Sequence, residues 1–93
     1  MSEPLEELPA AVESFERLTP GEQDRVREAL ESIELDPTAG RPIPARFPGT
    51  AVEYTYTTPL AKDSAEAVTV VYVHEPGIGI AVVLYFRDPL RLT

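Results

Sequence analysis

The side chains that can take part in chemistry here are limited to oxygen and nitrogen groups, because the sequence contains no cysteine and a single histidine, His74. Without cysteine there is no disulfide framework, no thiolate metal site and no cysteine nucleophile. The acids Glu3, Glu6 and Glu7 are expected to form a solvated N-terminal segment rather than a metal site. His74 directly precedes a Glu-Pro turn sequence, which favours a solvent-exposed imidazole over a general base. We therefore expect neither a metal ion nor a cofactor.

Arginine and tyrosine are the remaining candidates for a functional site. Arg41 and Arg46 stand in the proline-rich stretch LDPTAGRPIPARFPGT, residues 35–50, and YFRDPLR, residues 85–91, follows with two more arginines and a tyrosine. A guanidinium binds phosphate or carboxylate through a planar fork of N–H donors. Two roles stay open for Arg41 and Arg46, as counter-charges to the protein's own acids or as the rim of a partner site.

The charge of the chain is concentrated in its first part. Residues 1–36 carry eleven acids against three arginines, a net charge of −8, whereas residues 37–93 carry five acids against five bases. A negative surface repels phosphate backbones over about 8 Å at physiological salt. General affinity for nucleic acid is therefore disfavoured, and a local basic patch is confined to the second part.

The elements that position these residues begin with two helices. Thr19 and Glu22 have the spacing of a capping box with Pro20 between them, which predicts a helix over about 20–35. Its apolar face is expected to consist of Val26, Ala29, Leu30 and Ile33.

A first helix is predicted over about 9–18, where Val12, Phe15 and Leu18 repeat at three-residue steps. Residues 1–8 are expected to form a separate extended or irregular segment, because Pro9 inside a helix would cost about 3 kcal/mol. The alternative is one kinked helix.

Strands follow the helices. Alternation in TAVEYTYTT and two β-branched apolar runs predict strands at about 51–58, 67–74 and 78–86, the last two joined by a type II turn at Glu75-Pro76-Gly77-Ile78. The proline-rich stretch, residues 36–50, is then the stiff crossing between helix and sheet. The predicted fold is a two-layer α+β domain, with an antiparallel helical hairpin on a three- or four-stranded, mainly antiparallel sheet.

This order of elements resembles the RelE/ParE superfamily, the toxins of bacterial toxin-antitoxin modules. The similarity runs from LPAAVESFERLTPGEQDRVREALESIELDPTAGRPI through FPG to VVYVHEPGIGIAVVLYFRD, or roughly residues 8–88. It implies one RelE/ParE-like domain over residues 1–93 in a cytoplasmic protein. The prolines and glycines that mark the element boundaries are Pro20, Pro37, Gly40, Pro42 and Gly49.

The resemblance also implies which residues form the site. Ribonuclease members of the family cleave RNA by attack of its own 2′-hydroxyl, which requires a base, an acid and cationic donors for the phosphate. Arg87 matches a family position with the right chemistry, and Tyr85 is the expected stacking platform or weak acid. Arg41, Arg46 and Arg91 are the expected partner or phosphate contacts.

Two features depart from the family pattern. Where ribonuclease members carry cations, this sequence has Glu53, Thr55 and Thr57 on one predicted strand and Thr69 on the next. The opening MSEPLEEL also lacks β-formers, so the family's first strand is expected to be missing or weakly paired.

These departures favour a protein that acts mainly by binding an antitoxin or a protein target, with a degenerate nuclease site. The alternative is a ribosome-dependent mRNA endonuclease, which leaves open whether the chain is an enzyme. A partner of the acidic helices is expected to be more positive than antitoxins usually are. No apolar stretch approaches the roughly 20 residues that span a bilayer. The oligomeric state stays open, with a homodimer among the candidates.

Overall fold

Both described helices begin at a proline, Pro9 in the first and Pro20 in the second. The computed structural model describes residues 3–43 and 51–87 of the 93-residue chain. The elements are, in chain order, β1 (Leu5–Glu7), α1 (Pro9–Glu16), α2 (Pro20–Leu35), β2 (Arg41–Pro42), β3 (Val52–Thr57), β4 (Val68–Glu75) and β5 (Gly79–Arg87). The two helices lie on one side of a single sheet, which confirms the predicted α+β class.

A local sequence signal accounts for the start of α2. The Thr19 hydroxyl accepts a hydrogen bond from the Glu22 amide at 3.1 Å, and the Glu22 carboxylate accepts one from the Thr19 amide at 2.9 Å, so the predicted capping box is present. Helix α1 ends at Glu16, two residues earlier than expected. The amides of Arg17 and Leu18 bond to carbonyls three residues back, which tightens the last turn.

The sheet has five strands within the described residues, so the expectation of three or four was too low. Their order is β1-β5-β4-β3-β2, with β1 parallel to β5 and the other neighbours antiparallel. The additional strands are the two short edge strands. Proline is tolerated at such edges because an edge strand leaves one row of backbone groups without a ladder partner. Residues 5–7 therefore belong to the sheet and do not extend α1.

The hairpin of β4 and β5 contains a tight turn and a bulge. Gly77 has φ +83°, and the Ile78 amide bonds to the Glu75 carbonyl at 2.9 Å, as in the predicted type II turn. Val71 pairs with Leu84 and Tyr72 with Val82, which leaves Val83 as the extra residue of a β-bulge. The bulge reverses the facing of every β5 side chain after it.

The helices cover one face of the sheet only. The core between the layers contains buried residues from both helices and from the three long strands. Its largest members are Tyr72 and Tyr85, and Tyr72 stacks on Tyr54 with ring centroids 5.1 Å apart. No described element covers the opposite face. The side chains that alternate with the core residues point there.

Candidate functional site

The uncovered side of the sheet, here called the open face, carries its side chains in three rows set by the strand register. The first row is Glu6, Ala81, Val73 and Glu53; the second is Leu84, Val71, Thr55 and Arg41; the third is Phe86, Thr69 and Thr57. Leu84 and Phe86 are each 37% exposed. The open face therefore has an apolar middle, a basic residue on the β2 edge and an acidic residue on the β1 edge.

A groove of about 730 Å³ occupies the end of the open face next to β2. Its lining residues are Ala39, Gly40, Arg41, Thr55, Thr57, Thr69 and Phe86. Thr57 and Thr69 share a hydrogen bond of 3.3 Å between their hydroxyls. Arg41 is the only charged residue among those that line the groove in the described part of the chain. The described lining offers one cation, several hydroxyls and an aromatic ring, and it contains no carboxylate or imidazole to move a proton.

Arg41 is placed by a turn that is tied to the core. The Asp36 carboxylate accepts hydrogen bonds from the Thr38 hydroxyl at 2.7 Å and the Thr38 amide at 3.1 Å, and these bonds lower the pKa of Asp36. The Tyr72 hydroxyl donates to the Pro37 carbonyl at 2.7 Å. It also accepts from the Gly40 amide at 3.1 Å. Burial raises the pKa of Tyr72 to about 12, so the phenol stays protonated and keeps the turn in place.

Gly40 is required for the close approach of this turn to the sheet. A Cβ atom at Gly40 would lie 2.7 Å from the Thr55 carbonyl oxygen and 2.8 Å from the Tyr72 hydroxyl oxygen. Both distances are shorter than a carbon–oxygen contact allows. The backbone next to Arg41 therefore packs directly against β3, which fixes the direction in which the arginine leaves the turn.

Arg87 lies on the covered side of the sheet, away from the groove. Its Nε donates to one Glu22 carboxylate oxygen at 2.9 Å and its Nη2 donates to the other at 2.8 Å. Glu22 is 1% exposed and also accepts a hydrogen bond of 2.5 Å from the Ser64 hydroxyl. Burial raises the pKa of this carboxyl, but the bonds from Arg87, Ser64 and the Thr19 amide outweigh it and hold the pKa at about 2. The ion pair with Glu22 therefore gives Arg87 a structural role.

Tyr85 also points to the covered side. It is 2% exposed, its ring makes an edge contact with Phe15, and its hydroxyl donates to the Glu7 carboxylate at 2.6 Å. Burial raises the pKa of Tyr85, and the neighbouring Glu7 raises it further. The aromatic side chain beside the groove is Phe86, which sequence reasoning missed. Simple alternation cannot assign it to a face, because the bulge at Val83 changes the parity of β5.

The sequence also singled out Arg46, Arg91 and His74. Arg46 and Arg91 lie outside the described residues. The expectation of a solvent-exposed His74 was wrong. His74 is 7% exposed, and its Nε2 lies 3.0 Å from a carboxylate oxygen of Glu3. The N-terminal strand causes this burial, because it runs beside β5 and brings Glu3 over the end of the hairpin.

A smaller groove of about 220 Å³ lies at the hairpin end of the open face. Its lining includes the acids Glu6 and Glu75 and the apolar residues Val73, Ile78 and Ala81. Neither acid forms an ion pair with a residue in the described part of the chain. The two ends of the open face thus carry charges of opposite sign, with Arg41 at one end and these acids at the other.

Two further features are absent from residues 3–43 and 51–87. No group of three or more histidine, aspartate or glutamate side chains there is arranged to hold a metal ion. Neither described helix has the length and apolar character needed to cross a membrane.

Comparison with known proteins finds similarity of structure. The chain superimposes on a protein in the crystal structure of the archaeal RelE-RelB complex from Pyrococcus horikoshii OT3, with a TM-score of 0.71 and 15% sequence identity. The match covers 98% of this chain and 100% of that one. Models of known protein families give no match, and neither does a search of curated proteins. At this identity the comparison establishes a common fold over almost the whole chain.

Proposed function

Starting from a chain with the RelE-like fold, we propose that this protein acts by binding another protein through its open face, with an antitoxin-like chain as the partner. A solved structure that shares the fold is a complex of RelE with RelB. The open face has the character of such a site, because Leu84 and Phe86 are partly exposed at the middle of a sheet that no described element covers. We also propose that the protein is cytoplasmic, as the resemblance in sequence implied.

The observation that carries the proposal is the set of side chains that line the groove. Cleavage of RNA by its own 2′-hydroxyl needs a proton acceptor, a proton donor and several cations around the phosphate. The described lining has threonines at three positions and a single cation, Arg41. Loss of one phosphate-stabilising donor typically costs about 10² to 10³ in rate. A groove with this lining is therefore better suited to protein contacts than to phosphate chemistry.

Arg87 and Tyr85 support the same conclusion. The Arg87 guanidinium is engaged by Glu22, and the Tyr85 hydroxyl by Glu7. Use of either side chain on RNA would require it to leave a buried carboxylate partner or the core. In this proposal both residues stabilise the fold, and the groove side chains make the partner contacts.

A ribosome-dependent endonuclease remains the second candidate, and one observation favours it. Arg41 and Phe86 both line the groove. A guanidinium and an aromatic ring are the groups that hold a phosphate and stack on a base. In this version Arg41 binds the scissile phosphate and the ribosome supplies the other groups.

Partner binding is tested by co-expression with the protein encoded next to this chain's gene, followed by titration of the two purified proteins. We expect a complex that Phe86→Asp weakens at least 10-fold. Leu35→Asp is the matched control, because Leu35 is 83% exposed and belongs to α2. Equal effects of the two variants would contradict a site on the open face.

The nuclease alternative is tested in a purified translation system with a defined mRNA. Our proposal expects intact mRNA and normal protein synthesis. Cleavage that needs ribosomes and disappears with Arg41→Ala would establish the endonuclease in its place. Arg87→Ala serves as a comparison, with its folding checked by circular dichroism.

A further inference from the structure

The charges at the two edges of the open face have opposite signs. Arg41 lies on the β2 edge in the second row, and Glu6 lies on the β1 edge in the first row. Both are exposed, and neither forms an ion pair within residues 3–43 and 51–87. The central strand of the sheet, β4, runs between these two edges.

A two-fold axis along β4 relates such a face to itself. If two copies face each other about this axis, β4 lies over β4, β5 over β3 and β1 over β2, because the strand order is β1-β5-β4-β3-β2. Arg41 of each copy then lies over the edge strand that carries Glu6 of the other. The offset of one row is roughly 7 Å along the strand, which an extended arginine side chain can span.

We propose that the open face pairs with the open face of a second copy of this chain, in a symmetric dimer that Arg41 and Glu6 hold together at both edges. The inference does not depend on the proposed function. It extends that function in one respect, since a protein partner that uses the same face has to displace the second copy.

The middle of the face fits this arrangement. Val71 and Val73 of β4 lie opposite the same residues of the second copy, and Leu84 and Phe86 of β5 lie over the β3 threonines. Threonine contributes a methyl group to such a contact as well as a hydroxyl. Facing sheets pack about 10 Å apart, with side chains interdigitated. An isologous interface makes each of these contacts twice.

Two features oppose association and limit its strength: the net charge of −8, and Glu75, which the axis along β4 places opposite Glu75 of the second copy at the hairpin end. Eleven of the sixteen acids belong to residues 1–36, most of them in the helical layer on the far side of the sheet. That layer lies about one Debye length or more from the interface at physiological salt, roughly 8 Å. The sheet footprint is also small, roughly 20 by 23 Å, compared with the ~800 Å² that each partner buries in a standard interface. We therefore expect a weak dimer that forms with rising protein concentration.

Sedimentation equilibrium of the full chain over a range of concentrations tests the proposal, with two single charge reversals and their combination. Arg41→Glu and Glu6→Arg should each weaken dimerisation about 10-fold or more, since each change replaces two attractions by two repulsions. The double variant restores opposite charges at both edges and should return to within about 3-fold of the natural protein.

Lys62→Glu is the control for Arg41→Glu, because it produces the same net charge at an exposed position outside the open face. It should leave the dimer unchanged within about 2-fold. A protein that stays monomeric at millimolar concentration would overturn the proposal, as would failure of the double variant to recover or an equal effect of Lys62→Glu. A monomeric result leaves the binding of a different protein untouched, since that binding is measured separately.

Discussion

Arg87 and Glu22 lie 65 positions apart and are joined by two hydrogen bonds of 2.9 and 2.8 Å, which tie the last strand to the first turn of α2. The same carboxylate accepts from the Ser64 hydroxyl in the loop between β3 and β4. One buried acid thus connects a helix start, a loop and a strand end.

Removal of Arg87 should destabilise the protein strongly. Arg87→Ala leaves the Glu22 carboxylate buried without its cation, and we expect a loss of about 3 kcal/mol in the free energy of unfolding. Urea unfolding followed by circular dichroism measures it. Arg25→Ala breaks the exposed pair of Arg25 with Glu28 and should cost less than about 1 kcal/mol. Similar losses in the two variants would contradict the structural role of Arg87.

The Glu22 pair should make stability depend on pH in the acid range. The folded pKa of Glu22 is lowered from 4.5 to about 2, so its contribution is complete above about pH 4.5 and is lost as the pH falls toward 2. The size is of the order of 3 kcal/mol. The difference in unfolding free energy between the natural protein and Glu22→Gln should therefore shrink between pH 5 and pH 2. A difference that stays constant over this range would be inconsistent with the pairing.

A methyl group at position 40 should displace the turn that holds Arg41. Gly40→Ala places Cβ within 2.8 Å of the Thr55 carbonyl and the Tyr72 hydroxyl. The cost is expected to be about 1 to 3 kcal/mol in unfolding free energy. Thermal unfolding measures this loss, and Ala39→Gly at the exposed neighbouring position is the control. An unchanged melting temperature for Gly40→Ala would mean that the turn does not pack against β3 as described.

Added cations in the groove should raise the affinity of the protein for RNA. Thr55→Lys with Thr57→Lys adds two positive charges to the open face, and we expect binding of a single-stranded oligonucleotide that weakens with salt. Fluorescence anisotropy measures the binding. Glu13→Gln with Glu31→Gln gives the same net charge on the helices and should bind little. Equal binding by the two variants would show that net charge alone decides RNA affinity.

Several features followed from short stretches of sequence. The capping box at Thr19 and Glu22 and the turn at Gly77 depend on residues three or fewer positions apart, so local chemistry was enough to predict them. The α+β class followed from the change of period after residue 50. Thr55 and Thr57 of the groove were also assigned correctly to the polar face of the predicted strand, since alternation in β3 has no bulge to interrupt it.

The facing of the candidate site residues was decided by the tertiary structure. The bulge at Val83 exists only because β4 and β5 pair with unequal numbers of residues, and it turns Phe86 to the open face and Tyr85 to the core. Arg87 takes its role from Glu22, and His74 is buried because β1 adds to the far edge of the sheet and brings Glu3 to it.

The sequence by itself determined the helices, the long strands and the charge asymmetry, because each depends on neighbouring residues. Which side chains meet across 65 or more positions depended on strand register and layer packing. Those were set by the free energy of the whole folded domain, which no short stretch of sequence contains.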